Sequence, residues 1–217
     1  MYFQSRAHAG AQLAEKLKNY RYENSIVISI SEGGVLVGEQ IAAEIHSVLS
    51  LLMVEEVTIP GENVAIGTID HTGGFALNSA MSDSEIDDYY SEYHGTIDEQ
   101  RREKFQKLNH LLIDGGLVDK NLVRDHTVIV VSDGLKTGAP LDAVVAFLKT
   151  VRIEKLVIAT PIASVEAVDR MHVLADELHC LSVIENYIET DHYYDNNDVP
   201  TRGAIIEAIN NVILHWK

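Results

Sequence analysis

The segment with the clearest chemical potential is VIVVSDGLKTGAPLDA (residues 128–143), where an apolar run ends in a polar turn rich in glycine. A helix is expected to begin soon after this turn, and free N–H groups at a helix start, together with the helix dipole, bind anions. Gly134 and Gly138 allow the backbone to approach a ligand closely. Thr137 adds a hydroxyl donor, and Asp133 can accept hydrogen bonds from sugar hydroxyls. The turn suits a sugar phosphate, although a plain strand–loop–helix connection that uses glycine for its geometry remains an alternative.

Alternating strand and helix patterns surround this turn and must position it. Short apolar runs rich in β-branched residues predict strands, and amphipathic stretches predict helices. The predicted strands span residues 26–30, 51–57, 64–69, 127–131, 155–161 and 177–184. The predicted helices span residues 6–20, 35–50, 82–107, 141–150, 165–174 and 203–216. This alternation predicts an α/β fold in which helices cover both faces of a parallel sheet, with ligands beyond the carboxyl ends of the strands.

Composition limits the class of protein. The 217 residues carry a formal net charge of −16, which argues against non-specific binding of nucleic acid and against docking on anionic lipid. The single cysteine, Cys180, excludes an internal disulfide framework and a cysteine-based zinc site. No apolar run approaches ~18 residues and no signal peptide is visible, so a cytoplasmic protein is expected. The first five residues, MYFQS, look like the remnant of an engineered cleavage tag, and the fold prediction leaves them out.

The chain resembles the type I phosphoribosyltransferases, and in particular the small bacterial members whose activity is predicted. Five segments carry the resemblance in order, namely residues 6–17, 30–45, 59–70, 128–143 and 155–168. The resemblance covers most of residues 6–200. It implies a single domain over residues 6–217, in which residues 71–110 form a hood or lid insertion, and it implies a homodimer.

The resemblance also implies an activity and a set of site residues. Members of the family transfer a phosphoribosyl group from phosphoribosyl diphosphate (PRPP) to an acceptor, release pyrophosphate and use Mg²⁺. Asp133 is then the catalytic residue that holds the ribose, and the expected ligand of Mg²⁺. The other expected substrate-binding residues are Ser132, Gly134, Leu135, Lys136, Thr137, Gly138 and Ala139 in the PRPP loop, and Glu32, Gly33, Gly34 and Glu56 on the pyrophosphate side. The acceptor is not identified by any motif.

Four positions depart from the family pattern. Ser132 replaces one carboxylate of an acidic pair, and Pro140 stands where the relatives usually have a hydroxyl residue. Glu32 and Glu56 stand where the relatives usually have arginine and lysine. Two unit charges ~4 Å apart interact by about 4 kcal/mol at an effective dielectric constant of ~20, so each reversal turns an attraction for pyrophosphate into a repulsion. The departures support an alternative hypothesis, a catalytically impaired relative that binds a nucleotide or sugar phosphate and has a regulatory role.

Other patterns are less specific. The acidic loop 191–195, with Asp198, has carboxylates that suit a hard metal ion, but their spacing is not diagnostic and favours an exposed acidic loop. The glycines within residues 33–38 do not match the GxGxxG pattern of dinucleotide-binding loops. The scattered histidines, among them His71, are predicted to lie on the surface.

The acidic hood contains one basic cluster, formed by Arg101, Arg102 and Lys104. These side chains would reach an anionic ligand if the hood folded over the site. The alternative is that they pair with neighbouring acidic residues on a solvated helix, as charges three and four residues apart usually do.

Overall fold

A computed structural model describes residues 2–62, 64–111, 118–197 and 199–216. The strands are β1 (Ser25–Ser29), β2 (Val48–Leu51), β3 (Val54–Thr58), β4 (Ala65–Asp70), β5 (Phe75–Leu77), β6 (Thr127–Val131), β7 (Lys155–Ser164) and β8 (Glu177–Ile184). The α-helices are α1 (Arg6–Lys16), α2 (Glu32–Ile45), α3 (Asp83–Leu111), α4 (Lys120–Val123), α5 (Ala139–Leu148), α6 (Val165–Leu174) and α7 (Arg202–Asn211).

The main sheet is parallel and has the strand order β2-β1-β6-β7-β8. Every residue of the central strand β6 is buried, which explains its uninterrupted apolar sequence, because strands covered on both faces need no polar alternation. The side chains of Ile129 and Val131 belong to one hydrophobic cluster and those of Val128 and Val130 to another, one on each side of the sheet. The predicted α/β class and parallel sheet are confirmed.

A second, antiparallel sheet with the order β3-β4-β5 lies beside the main one. Both α3 and α5 pack against it, so β4 is buried along its whole length. The side-chain amide of Gln100 on α3 donates to the carbonyl oxygen of Thr58 at 2.8 Å and accepts from its N–H at 3.1 Å, which covers the free edge of β3. Of the layer that this sheet and α3 form, β5 and nearly all of α3 fall within residues 71–110, where the hood is predicted, whereas β3 and β4 precede that segment.

Several predicted boundaries were wrong, and two of them concern β2. The single strand predicted over residues 51–57 is divided between β2 in the main sheet and β3 in the second sheet. Leu52 and Met53 between them are buried, so the turn that joins the sheets has the apolar composition of a strand. The helix predicted over residues 35–50 ends at Ile45, because His46 adopts a left-handed conformation (φ 58°) and the chain then turns into β2.

Residues 3–5 take part in the fold, although the sequence analysis left them out. Phe3 is fully buried, its N–H donates to the carbonyl oxygen of Tyr193 at 2.9 Å, and its own carbonyl accepts from the N–H of Asp195 at 2.9 Å. The hydroxyl of Ser5 caps α1 by accepting from the N–H of His8. The origin of the first five residues stays a prediction, but their contacts belong to this domain.

Within the described residues, no helix has both the length and the apolar character that a membrane span requires.

His71 lies just after β4 and is buried, with 6% of its surface exposed, so its predicted surface position was wrong. Its Nδ1 atom has no hydrogen-bond partner, and its ring lies 6.0 Å from that of Phe147. Burial lowers the pKa of the imidazole, and the nearby Asp70 carboxylate only partly opposes this effect.

Because burial lowers the pKa of this imidazole, we expect the folded protein to lose stability in mild acid. A histidine whose pKa is lower in the folded state binds its proton more readily when the chain is unfolded. Its contribution to the free energy of unfolding is therefore complete above pH ~6.5 and is lost as the pH falls below that value. Between pH 7.5 and 5.5 we expect the free energy of unfolding to fall by about 1 kcal/mol, measured by urea denaturation. The fall should disappear in His71→Leu and persist in His94→Gln, where an exposed histidine is lost. An equal fall in both variants would exclude His71 as the cause.

Candidate active site

The loop over residues 132–139 lies at the carboxyl end of β6, held against the end of β7. The N–H of Leu135 donates to the carbonyl oxygen of Ile162 at 3.0 Å, and the N–H of Ser164 donates back to the carbonyl oxygen of Leu135 at 2.9 Å. The hydroxyl of Ser164 also donates to the carbonyl oxygen of Lys136 at 2.7 Å. The loop therefore has a defined backbone conformation supported by a neighbouring strand.

The second half of this loop leads into the first turn of α5. Among the described residues, no backbone acceptor or side chain takes the N–H groups of residues 136–139. Pro140 occupies the first turn of the helix, where its missing N–H removes nothing that the helix uses. Free amides and the positive end of the helix dipole therefore meet at the position predicted for a phosphate.

Asp133 is buried and held by two donors. The Nε atom of Arg6 donates to Oδ2 at 2.7 Å, and the hydroxyl of Ser31 donates to Oδ1 at 2.6 Å. A second nitrogen of the Arg6 guanidinium pairs with Asp191. Burial acts to lower the pKa of Arg6, but the two carboxylates raise it above its ordinary value, so Arg6 remains charged.

Sequence reasoning did not identify Arg6 as a site residue. It lies 127 positions from Asp133, on a different element, and nothing in the motif around Asp133 indicates such a partner. The guanidinium also stacks over the ring of Tyr194, 4.7 Å from its centroid. Arg6 therefore positions Asp133 within an ion-pair network that the motif alone does not reveal.

The glycines that follow β1 are required by close packing against this network. A Cβ atom at Gly33 would overlap Oδ2 of Asp133, and one at Gly34 would lie 2.6 Å from the hydroxyl oxygen of Ser29. The structure thus brings the two predicted loops into contact. Whether they meet pyrophosphate stays a prediction.

Glu56 is a residue of β3 and contacts the loop over residues 132–139. The hydroxyl of Thr137 donates to its Oε1 atom at 2.6 Å, so the donor expected to meet a phosphate is bonded to a carboxylate of the chain itself. Glu56 and Glu32 line the same groove, which has a volume of about 530 Å³. Lys104 and Lys107 of α3 also line it, with their ammonium groups 4.0 and 2.5 Å from the carboxylate oxygens of Glu55.

The first half of the loop is covered by residues that follow β8. A Cβ atom at Gly134 would overlap the hydroxyl oxygen of Tyr187, and the hydroxyl of Tyr194 donates to the carbonyl oxygen of Asp133 at 2.5 Å. Burial raises the pKa of both phenols, so both stay protonated at neutral pH. In this structure Gly134 is therefore shielded, whereas Lys136 is exposed, Thr137 is half-buried, and Gly138 packs against the side chain of Arg170.

The residues predicted to bind a metal ion have other partners in this structure. At position 132 the hydroxyl of Ser132 donates to the carbonyl oxygen of Gly134 at 2.9 Å, and Asp133 lies against a guanidinium. One carboxylate beside a fixed cation does not form a complete Mg²⁺ site by itself, so a Mg²⁺ ion here would need phosphate oxygens of a substrate as further ligands, and the predicted Mg²⁺ stays a prediction. Asp191 pairs with Arg6, Asp198 lies outside the described residues, and no metal-binding group of three or more acidic, histidine or cysteine side chains occurs in the described ranges.

The family model for the phosphoribosyl transferase domain matches residues 3–197. Two curated Mycobacterium tuberculosis proteins, provisionally named as phosphoribosyl transferases (MT0597 in strain CDC 1551 and Rv0571c in strain H37Rv), are each 27% identical to this chain over 200 residues. The match covers 89% of this chain and 43% of each relative, so the chain spans less than half the length of these relatives. The crystal structure of TT1426 from Thermus thermophilus is 26% identical, with a TM-score of 0.70, and the match covers 100% of this chain and 99% of that chain.

Proposed function

Because the chain belongs to the phosphoribosyl transferase domain family, we propose that it binds a sugar 5-phosphate or a nucleotide at its loop and transfers phosphoribosyl groups from PRPP poorly or not at all. The observation that carries this proposal is a contrast within one site. The phosphate end of the loop keeps backbone N–H groups that have no partner in the described ranges, and the opposite side of the groove carries carboxylates.

The donors favour a phosphorylated ligand. The N–H groups of residues 136–139, which have no partner among the described residues, lie at the start of α5, and the hydroxyl of Thr137 lies there too, bonded to Glu56. Hydrogen bonds from such groups to a charged oxygen are roughly twice as strong as those between neutral partners. Asp133 has lone pairs left after its bonds to Arg6 and Ser31, and these can accept a ribose hydroxyl.

The carboxylates oppose turnover of PRPP. Loss of pyrophosphate builds negative charge on the leaving group, and catalysis of such a step depends on cations placed around it. Glu32 and Glu56 line the groove where the family pattern expects cations, and at about 4 Å each would repel a phosphate charge by about 4 kcal/mol at an effective dielectric constant of ~20. A ligand with a single phosphate brings less negative charge to this groove and is repelled less than PRPP, even with Glu56 next to Thr137.

Calorimetric titration with ribose 5-phosphate, AMP and PRPP, each with and without Mg²⁺, tests this proposal. We expect ribose 5-phosphate or AMP to bind, and PRPP to bind no more tightly. We expect the ligand phosphate to displace Glu56 as the acceptor of the Thr137 hydroxyl, so Thr137→Val should weaken the binding about tenfold. The matched control is Thr150→Val, which removes an exposed hydroxyl beyond the other end of α5 and should leave binding unchanged. Binding of none of the three ligands by the wild-type chain would contradict the proposal.

A second candidate, phosphoribosyl transfer itself, is favoured by Lys104 and Lys107. These two cations line the groove from α3, and their charge is partly neutralised by Glu55. If the lysines turned to the leaving group, they would supply the positive charge that the family pattern places at positions 32 and 56. Pyrophosphate release from PRPP with a panel of bases and amines separates the candidates, because sustained release would support transfer and exclude the impaired relative.

A further inference from the structure

A cavity of about 470 Å³ lies between α3 and the turn that joins β4 to β5. Its lining residues are Ile69, Gly73, Asp98, Arg101, Arg102 and Phe105. None of these residues lines the groove beside Glu56, so this cavity is separate from the groove. We call it the hood cavity, because most of α3 falls within the predicted hood. Its volume lies within the range of ~300–1,000 Å³ usual for small-molecule sites.

One side of this hood cavity is apolar and flat. Ile69 provides a buried aliphatic surface, with 4% of its area exposed. The ring of Phe105 packs against Gly73, since a Cβ atom at that glycine would lie 3.2–3.8 Å from three ring carbons. An aromatic ring beside a buried aliphatic chain suits a planar apolar group.

The other side of the cavity carries two guanidinium groups. Arg101 lies over the ring of Phe75, 4.4 Å from its centroid, and its Nε atom is buried without a hydrogen-bond partner. Its closest carboxylate in the described residues is Asp98, at 3.5 Å from Nη1, and Asp98 is itself 57% exposed. A buried N–H without an acceptor is costly, and stacking on an aromatic ring does not supply the acceptor.

Arg102 is not neutralised by a carboxylate within the described part of the chain. Its Nε atom donates to the backbone carbonyl oxygen of Asp98, one turn earlier in α3, at 3.3 Å. That bond leaves the terminal nitrogens for another partner. Both guanidinium groups line the cavity, and each offers a bidentate geometry that matches the oxygens of a carboxylate or phosphate.

We propose that the hood cavity is a binding site for an aromatic oxyanion, a carboxylate or phosphate attached to a planar ring. The oxyanion is held by Arg101 and Arg102, and the ring lies between Phe105 and Ile69. The surrounding stretch, residues 55–104, holds 12 acidic and 3 basic residues, so it repels anions in general. Binding therefore depends on the two arginines and on the apolar wall, and it does not require a ligand at the loop after β6.

Fluorescence titration with 1-anilinonaphthalene-8-sulfonate, an aromatic sulfonate, tests the proposal directly. We expect Arg101→Met and Arg102→Met each to weaken binding of this probe at least tenfold, and Asp98→Asn to strengthen it, because the competing carboxylate is removed. Arg124→Met is the matched control, since it removes the same charge from an exposed position outside the cavity. All variants change exposed or half-exposed positions, and circular dichroism verifies their folding.

Competition identifies the part of the ligand that is recognised. Benzoate and phenyl phosphate should displace the probe at lower concentrations than inorganic phosphate does, because only they have a ring that contacts the apolar wall. Probe affinity that is unchanged in both arginine variants, or reduced equally in Arg124→Met, would overturn the proposal. Equal displacement by inorganic phosphate and phenyl phosphate would also overturn it.

Discussion

Replacement of Arg6 by methionine should lower the free energy of unfolding by about 3–5 kcal/mol, the usual cost of leaving a buried charge without its partner. Arg6 is 3% exposed and Asp133 is 7% exposed, so water cannot replace the lost guanidinium at this carboxylate. Asp191 loses the same partner, but it is 59% exposed and can be solvated. Urea denaturation at pH 7 measures the effect.

Two further variants determine the cause. Arg152→Met removes an arginine that is 87% exposed and lies 3.5 Å from Asp125, and it should change stability by no more than about 0.5 kcal/mol. Asp133→Asn in the Arg6→Met background should recover part of the loss, because the buried charge is then removed. If Arg6→Met cost no more than Arg152→Met, the carboxylate of Asp133 would not depend on Arg6.

The double substitution Glu32→Arg with Glu56→Lys should strengthen PRPP binding by at least about 100-fold, which corresponds to about 2.7 kcal/mol. Both positions line the groove, and Glu56→Lys also releases the hydroxyl of Thr137. Each reversal changes a repulsion of about 4 kcal/mol at ~4 Å into an attraction, and partial solvation of the groove reduces the net gain. Calorimetric titration with PRPP, with and without Mg²⁺, gives the affinity.

A charge-matched control is available for this experiment. Glu154→Arg with Glu207→Lys makes the same change in net charge at two exposed positions outside the groove. Equal PRPP affinity in the two double variants would mean that Glu32 and Glu56 do not face the phosphates. Glu32 begins α2, where a carboxylate is favoured by the helix dipole, so Glu32→Arg should also cost about 0.3–1 kcal/mol of stability.

The sequence was most informative where the chemistry is local. The strand, the glycine turn and the helix start within residues 128–143 follow one another along the chain, so their pattern predicts both the loop and its free amides. Continuous apolar strands likewise predict the parallel sheet, because burial on both faces removes the need for polar residues. Contacts between distant residues left no such pattern, and the bonds from Arg6 to Asp133 and from Thr137 to Glu56 became apparent only in the structure.

Apolar composition was misleading where burial does not depend on regular structure. Leu52 and Met53 are buried in a turn, and Phe3 is buried near the start of the chain. Each has the hydrophobicity of a core strand or helix residue, but none lies in one of the labelled elements. The division of the predicted strand 51–57 between two sheets follows from this ambiguity, since periodicity alone cannot separate a buried turn from a strand.

The network around Arg6 also bears on the order in which the chain acquires its structure. The partners of Arg6, Asp133 and Asp191, lie 127 and 185 positions later in the sequence. The backbone of Phe3 likewise bonds to a distant segment, Tyr193 to Asp195. During synthesis from the amino terminus, α1 emerges first, and Arg6 acquires Asp191 only when nearly all of the described chain has left the ribosome. Contacts of such long sequence separation are slow to form, because closing a long loop costs conformational entropy before stabilising contacts have formed. The pairing around Asp133 is thus completed late, and the nascent chain reaches it only after β8, the last strand of the described residues, has emerged.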